Sequence, residues 1–262
     1  SLKAENFKDL NENYTNAVYG FTKSIKTLLN IFKEYSELSI IACFDSNSKN
    51  QFRKQLHEDY KNTRTLPNGL GHQFKLCKNA CKALNIPIYS NEAYEADDLI
   101  ASLSCQLAND KNKVIIVSCD KDMYQLINDN VYIFNIIKKV FIKKKEVYEK
   151  FNVYPNKMIM YQAIVGDKID NIQGVKGIGH KNAVAIMKII NGDMEQLFDK
   201  KLNHNKRNLL LQNKELIYSN LQLVTLCTNI HITLPNKSFS FKQLKTHKFK
   251  TFLDLIEINT KN

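Results

Sequence analysis

The sequence predicts an α/β fold with a mostly parallel central sheet flanked by helices, leading into a C-terminal helical region. Three observations predict it. Short apolar or β-branched runs at 38–44, 86–89, 114–117 and 131–134 alternate with stretches of helical periodicity, and strands separated by helices pair in parallel with both faces covered. Two of these runs lead into an aspartate, Asp45 and Asp120, at the carboxyl ends of strands, where the sites of such folds lie. From about residue 143 the strand signals give way to helical ones.

Taken in order, apolar positions at 18, 21, 25, 28, 29 and 32 predict a helix over 14–35. Residues 50–64 are polar apart from Phe52, Leu56 and Tyr60 at intervals of four, which predicts an exposed helix that Pro67 and Gly69 terminate. A further helix fits 72–84. Another begins at Glu95, whose acids occupy a first turn ahead of Leu99, Ile100, Leu103 and Leu107. A helical turn carrying Met123, Leu126 and Ile127 follows Asp122. In the second half Tyr154-Pro155 interrupts before an apolar helix at 158–165, and helices are predicted at 181–190, 193–199, 206–226 and 248–257. A boundary near residue 150 divides an α/β core, 1–150, from a helical region, 151–262.

The 262 residues include 38 Lys plus Arg against 26 acids, a formal charge of +12, and so basic a surface suits a polyanion. The charge is almost all lysine, with arginine only at 53, 64 and 207. Arg53 and Arg64 are close enough in sequence to form a phosphate clamp, since a guanidinium offers a fork where an ammonium is a point charge. The competing reading is a solvated, charged helix. No apolar run reaches 18 residues, which argues against a membrane span, and residues 1–9 lack a signal peptide's apolar core. Six cysteines without a CxxC, and scattered histidines, argue against zinc. They predict reduced, mostly buried thiols in an intracellular protein.

Against this basic background eight acids stand in four tight groups: Asp45; Glu95, Asp97 and Asp98; Asp120 and Asp122; Asp167 and Asp170. Crowded carboxylates repel, and hard divalent cations are the natural neutraliser because they take oxygen ligands. Any one pair reads equally well as a helix cap or turn. Four groups at different strand and helix edges instead predict a two-metal phosphodiesterase, which needs carboxylates converging from several elements.

The segment Gly174-Val175-Lys176-Gly177-Ile178-Gly179 is the second feature. Three glycines permit close backbone approach, and the helix that follows presents free amides beside Lys176 and Lys181, a site for a backbone phosphate. It is not a P-loop, because no GKS or GKT ending follows.

At these residues the sequence resembles the 5′-nuclease domain of bacterial DNA polymerase I, within the flap endonuclease family. The resemblance rests on Phe44-Asp45, Phe52-Arg53, Tyr60-Lys61 with Arg64, Glu95-Ala96-Asp97-Asp98 and Asp120-Lys121-Asp122. Its most specific part is Gly166-Asp167-Lys168-Ile169-Asp170-Asn171-Ile172 running into the glycine segment. The resemblance implies a PIN-like fold and a two-metal enzyme, with Mg²⁺ or Mn²⁺, that digests duplex DNA from a 5′ end or cuts flaps. It implies that Asp45, Glu95, Asp97, Asp98 and Asp120 serve the more tightly held metal, some directly and some through water, and that Asp122, Asp167 and Asp170 favour the second ion. Lys61 and Arg64, at the base of a helical arch near 50–70, would polarise the scissile phosphate, and Arg53 would face a phosphate too. Tyr60, Gly174, Lys176, Gly177, Gly179 and Lys181 would contact DNA, the glycines within a helix–hairpin–helix at about 158–190 that can hold K⁺. The implied protein is a monomer whose partners are branched or nicked duplex DNA and replication or repair proteins.

Two departures stand out. The family opens with an apolar strand ending in Asp-Gly, and nothing ahead of Tyr14 resembles it; Asp9 sits among polar residues. The expectation is that residues ahead of Ser1 supply that strand. Cys119 stands where the family has glycine. The alternatives are a catalytically impaired, nuclease-like DNA-binding protein and an RNA 5′-nuclease of similar fold.

Overall fold

A computed structural model describes residues 14–35, 37–46, 52–62, 69–191, 193, 195–198, 201–234 and 248. The first half of the chain runs α1 (Asn16–Ile31), β1 (Ala42–Cys43), α2 (Phe52–Leu56), α3 (Leu70–Leu84), β2 (Ile88–Tyr89), α4 (Ala96–Leu107) and β3 (Val114–Val117). A 3-10 helix (Lys121–Leu126) leads to β4 (Val131–Asn135) and β5 (Val140–Ile142). The remainder is helical: α5 (Lys144–Phe151), α6 (Met158–Val165), α7 (His180–Ile189), α8 (His204–Gln212) and α9 (Lys214–Val224). These elements form two compact units, one of Ser1–Phe44, Thr65–Ser90 and Thr233–Asn262, the other of Asp45–Arg64 and Asn91–Ile232.

In the first unit α1 buries Val18, Thr22, Ile25 and Leu28, the stripe that its 3.6-residue spacing dictates. The core there joins Val18 and Ile25 to Phe44, Cys77, Ala80, Cys81, Leu84 and Ile86, and β1 pairs in parallel with β2. No side chain caps α1 by its own Thr15. Gln73 of α3 supplies the acceptor instead, taking the Ala17 amide at 2.7 Å. A buried Gln73 thereby answers the need of an uncapped helix start.

The second unit contains β3 and β4 in parallel, Val114 opposite Val131, and β5 antiparallel to β4. The hairpin to β5 adds an antiparallel edge strand that the sequence reading did not include. Its strand is three residues long in a lysine-rich stretch, too short for alternation to be read. The described strands form two hydrogen-bonded sheets rather than one. The predicted helix at 193–199 is a turn over 195–198, because Asp193 Oδ1 accepts the Glu195 amide at 3.0 Å and so competes with helical bonding. The long helix at 206–226 divides at Asn213. All but the first residue of the predicted helix at 248–257 lies outside the described residues. Cys77 and Cys81 are buried as expected, whereas Cys105 and Cys119 are exposed. Among the described residues no helix is long and apolar enough to cross a membrane.

Two glycines shape the segment that matters most. Gly166 ends α6 at φ +78°, where L side chains are strained. A Cβ on Gly174 would stand 2.0 Å from the Val165 carbonyl oxygen. The chain therefore closes tightly on itself, with Asp167 and Ile172 bridged through mutual backbone bonds of 2.7 and 2.8 Å, and this loop carries Asp167 and Asp170.

Candidate metal centre

All described members of the predicted site belong to the second unit. After β3, Ser118 Oγ accepts the Asp120 amide at 3.0 Å and Asp120 Oδ1 accepts the Asp122 amide at 3.0 Å. The side chain of Asp120 thus starts the 3-10 helix and sets Asp122 in its first turn. Gly166 and Gly174 bring the 167–170 loop to meet it. Carboxylate oxygens of Asp122, Asp167 and Asp170 lie within 4.8 Å of one another, although Asp167 and Asp170 are only 5% and 4% exposed.

Such a cluster repels itself. Burial first, and then Asp120, push the Asp122 carboxyl up to about 6; a bond from Gln162 pulls the other way, and Asp170 and Asp167 add to the rise. Lys121 Nζ stands 3.0 Å from Asp167 Oδ2 and Lys61 Nζ 3.7 Å from Asp170 Oδ2. The donor set is all oxygen and anionic, which fits a hard divalent cation. A buried neutral oxygen, Gln162 Oε1, has no hydrogen-bond partner, although the same side chain donates to Asp122.

A second group gathers around the start of α4. Asp45 Oδ1 accepts the Ala96 amide at 2.8 Å, so this exposed aspartate caps the helix from outside its own sequence. Burial chiefly drives the Asp97 carboxyl up to about 7, with Asp120, Glu95 and Asp45 adding to the rise and Lys61 opposing it. Asp97 therefore feels Asp45, Glu95 and Asp120 together, while Asp120 also acts on Asp122. Asp120 thus acts electrostatically on one carboxyl of each group.

Glu95 is held from three sides. Lys61 Nζ donates to its Oε1 at 2.7 Å, and Tyr60 Oη and Arg53 Nη1 donate to its Oε2 at 3.1 and 3.2 Å. Lys61 itself has φ +55°, unusual for a residue with a Cβ, and its amide donates to the Asp170 carbonyl at 3.1 Å. Burial acts to lower the Lys61 pKa, but Glu95, Asp170 and Asp97 outweigh it and raise it. The ammonium charge is thus fixed between the two carboxylate groups.

Four expectations need correction. Arg53, expected to face a phosphate, is 1% exposed, and its five N–H groups have five acceptor contacts. Nε donates to Leu223 O at 2.8 Å, Nη1 to Asp98 Oδ2 and Glu95 Oε2 at 2.6 and 3.2 Å, and Nη2 to Asp98 Oδ1 and Thr225 O at 2.7 and 2.9 Å. No donor remains for substrate. Asp98, expected among the metal ligands, is fully buried; beyond Arg53 it accepts the Cys227 and Glu95 amides at 2.8 and 3.2 Å. Its four lone-pair positions are taken. Tyr60, expected to contact DNA, is 4% exposed with its hydroxyl on Glu95. Gly174, expected to approach a phosphate, is pressed against the Val165 carbonyl.

The rest of the glycine segment is open. Gly177 has φ +89°, and a Cβ on Gly179 would meet nothing within 4 Å. Gly179 precedes α7, which starts without a side-chain cap, so its first-turn amides are available to an anion. Lys176 and Lys181 are exposed beside it. Arg64 lies outside the described residues. Sequence reasoning missed Lys121 and Gln162 as parts of the site. A lone glutamine inside the apolar run of α6 was the available signal.

The α/β fold brings together carboxylates from separate elements that could hold a divalent metal, with the Lys61 ammonium between them, which defines a candidate metal centre. Family models agree: the N-terminal resolvase-like domain of 5′-3′ exonuclease matches residues 2–152, and its C-terminal SAM fold matches residues 153–247. The chain belongs to the 5′-3′ exonuclease family. It is 40% identical to the 5′-3′ exonuclease of Buchnera aphidicola subsp. Schizaphis graminum over 185 residues, which are 70% of this chain and 63% of that protein. The match therefore spans less than two thirds of that relative. The 5′-3′ exonuclease of Aquifex aeolicus is 33% identical over 247 residues, 94% of this chain and 83% of that protein. Among solved structures, the 5′-exonuclease of T5 with divalent metal ions (zinc) bound superposes with a TM-score of 0.67 at 26% identity, covering 92% of each chain.

Proposed function

We propose that this protein is a structure-specific 5′-nuclease that uses two Mg²⁺ or Mn²⁺ ions to hydrolyse phosphodiester bonds of DNA at 5′ ends and flaps. One observation carries the reading: buried Asp167 and Asp170 meet Asp122 within 4.8 Å, in a chain whose charge is +12. A site that concentrates negative charge inside a basic protein is built for cations and then a polyanion. The solved complex of the bacteriophage T5 flap endonuclease with DNA and metal ions supports the same substrate class.

In this reading Asp45, Glu95, Asp97 and Asp120 hold one ion, and Asp122, Asp167 and Asp170 the other. The bound ions would activate the attacking water and neutralise charge on the phosphate. Lys61 stays protonated between Glu95 and Asp170 and lends its ammonium to the phosphate oxygens as the P–O bond breaks; Arg64 has the same role. Arg53 and Asp98 keep Glu95 and the α4 start in place. The first-turn amides of α7, with Gly177, Gly179, Lys176 and Lys181, hold a phosphate of the duplex, and K⁺ accompanies that contact. The functional division falls near residue 150, a reading supported by the family models meeting between 152 and 153. The protein acts as a monomer.

The test is cleavage of a 5′-flap duplex with Mg²⁺, with EDTA, and by Asp122→Asn. Metal-dependent release of the flap, lost in the variant, supports the reading. Undiminished cleavage in EDTA would overturn it.

A further inference from the structure

We infer that Gln162 is a positioning residue for the metal centre, fixing the carboxylate plane of Asp122 so that one oxygen faces the ion. The inference rests on reading Asp122, Asp167 and Asp170 as metal ligands. Gln162 lies on α6, where Met158, Met160, Tyr161, Ala163 and Ile164 are also buried, and it is itself 2% exposed. A primary amide in such surroundings is costly unless its groups are bonded. Its Nε2 donates to Asp122 Oδ1, while its Oε1 is buried with no partner. Half of the amide is thus satisfied only by the site, and the other half is left without a bond. A side chain chosen for packing alone would be apolar here, as its helical neighbours are.

The geometry specifies what the amide does. Asp122 follows Asp120 in a 3-10 helix, and its side chain reaches toward the loop that carries Asp167 and Asp170. Donation to Oδ1 ties down that oxygen and the plane of the group, leaving Oδ2 for an ion. The position of α6 is itself secured, because Asn220 of α9 donates to Ala163 O and Gln173 O at 2.9 and 2.7 Å. Those two carbonyls flank the Asp167–Asp170 loop. The helix that supplies Gln162 and the loop that supplies two carboxylates are therefore held in one register. Outer groups of this kind set the affinity of a metal site by orienting the ligand rather than touching the ion.

The experiment is calorimetric titration of the metal-free full chain with Mn²⁺, comparing the native sequence, Gln162→Met and Asp122→Asn. Methionine matches glutamine in length and removes both the donor and the unbonded Oε1. Gln162→Met should retain the binding event with a dissociation constant raised about 10-fold or more, the usual scale when an outer group is removed. The thermal midpoint of metal-free Gln162→Met should be unchanged or higher, which separates the weaker binding from a folding defect. Gln162→Leu gives the same comparison should the methionine variant fail to fold. If Asp122→Asn loses a binding event while both Gln162 variants keep native affinity, the role of Gln162 is overturned and the site stands. If Asp122→Asn also binds as the native chain does, the metal reading itself falls, and Gln162 with it.

Discussion

The guanidinium of Arg53 meets the carboxylate of Asp98 through two parallel bonds of 2.6 and 2.7 Å, with both groups sealed from solvent. Around this fork the chain ties α2 to the start of α4 and, through Leu223 O and Thr225 O, to the end of α9. Burial alone would lower the arginine's pKa, yet its bonds with Asp98 more than offset this and raise it. The guanidinium therefore stays charged. Its neighbour Glu95 shares Arg53 Nη1 with Asp98, so the structural pair and the candidate metal group are mechanically one piece.

Removing one partner should accordingly be far worse than removing both. Arg53→Ala leaves Asp98 buried and uncompensated, a loss of about 3–5 kcal/mol by comparison with other broken buried pairs. Arg53→Met combined with Asp98→Leu should recover most of that stability without recovering activity, because Glu95 still lacks its anchor. Urea unfolding of the single and double variants reads the first part, and flap cleavage reads the second. A double variant no more stable than Arg53→Ala would contradict this account of the pair.

The raised carboxylates give a pH dependence of definite sign. Asp97 is pushed up to about 7 and Asp122 to about 6, chiefly by burial, against an ordinary value of 3.8. Between 3.8 and those values the folded metal-free chain binds more protons than the unfolded one, so these groups make its stability fall as pH rises. Their destabilisation is absent below pH 3.8 and complete above pH 7. Asp97→Asn should flatten the decline in urea midpoint between pH 5 and 8. Saturating Mg²⁺ should do the opposite of rising pH, since its ligands must lose protons and its affinity grows as they do.

How much of this was legible in the sequence depended on range. Asp120 and Asp122 were readable because a β-branched strand of four residues leads into them, and Asp167 with Asp170 because glycines on either side announce a tight loop. Arg53 was misread because two of its acceptors are backbone carbonyls 170 and 172 residues away, and a carbonyl leaves no mark in a sequence. Asp98 was misread because a helix's first turn was visible but which of its acids faced inward was not, and Tyr60 because its acceptor, Glu95, lies 35 residues away in the chain. Strand β5 escaped notice because three apolar residues among lysines carry no period.

The two ends of the glycine segment should separate by experiment. A methyl group on Gly174 would press on the Val165 carbonyl at 2.0 Å, whereas one on Gly179 meets open space. Gly174→Ala should therefore cost at least about 2 kcal/mol, as overpacking does, and weaken metal binding by displacing the Asp167–Asp170 loop. Gly179→Ala should leave the thermal midpoint within a degree or so of native, since surface changes are usually within about 0.5 kcal/mol. Equal midpoints for the two variants would show that the loop relaxes around the added methyl.

Lys61 should act on the chemical step. Its backbone is held at φ +55° and its ammonium lies between Glu95 and Asp170, a strained placement of the kind that collects at functional sites. Lys61→Met should slow single-turnover cleavage of a saturating flap substrate by roughly 10²–10³-fold, the scale for losing one well-placed donor to developing charge. The dissociation constant for the flap should change far less. A variant that binds weakly but cleaves at the native rate would move Lys61 from chemistry to binding.

Lys176 and Lys181 flank the uncapped start of α7, and their effect should be electrostatic and blind to base sequence. Removing one lysine–phosphate pairing should lessen the steepness of log affinity against log salt by about 0.9 for duplex DNA. Lys176→Ala should thus weaken duplex binding most at low salt, equally for unrelated sequences, and leave the metal-free thermal midpoint unchanged because the side chain is exposed. Lys181→Ala should do the same, and the double variant should show about twice the reduction in slope if each lysine meets its own phosphate. Phosphate contacts fix the register of a protein on the duplex rather than its sequence preference, so the ratio of affinities for two unrelated duplexes should not move. Fluorescence anisotropy titrations over roughly 50–200 mM KCl, the range in which counterion release is steep, provide slope and affinity together. Native slopes in both single variants would leave the amides of α7 as the whole of the contact and confine the lysines to solvent.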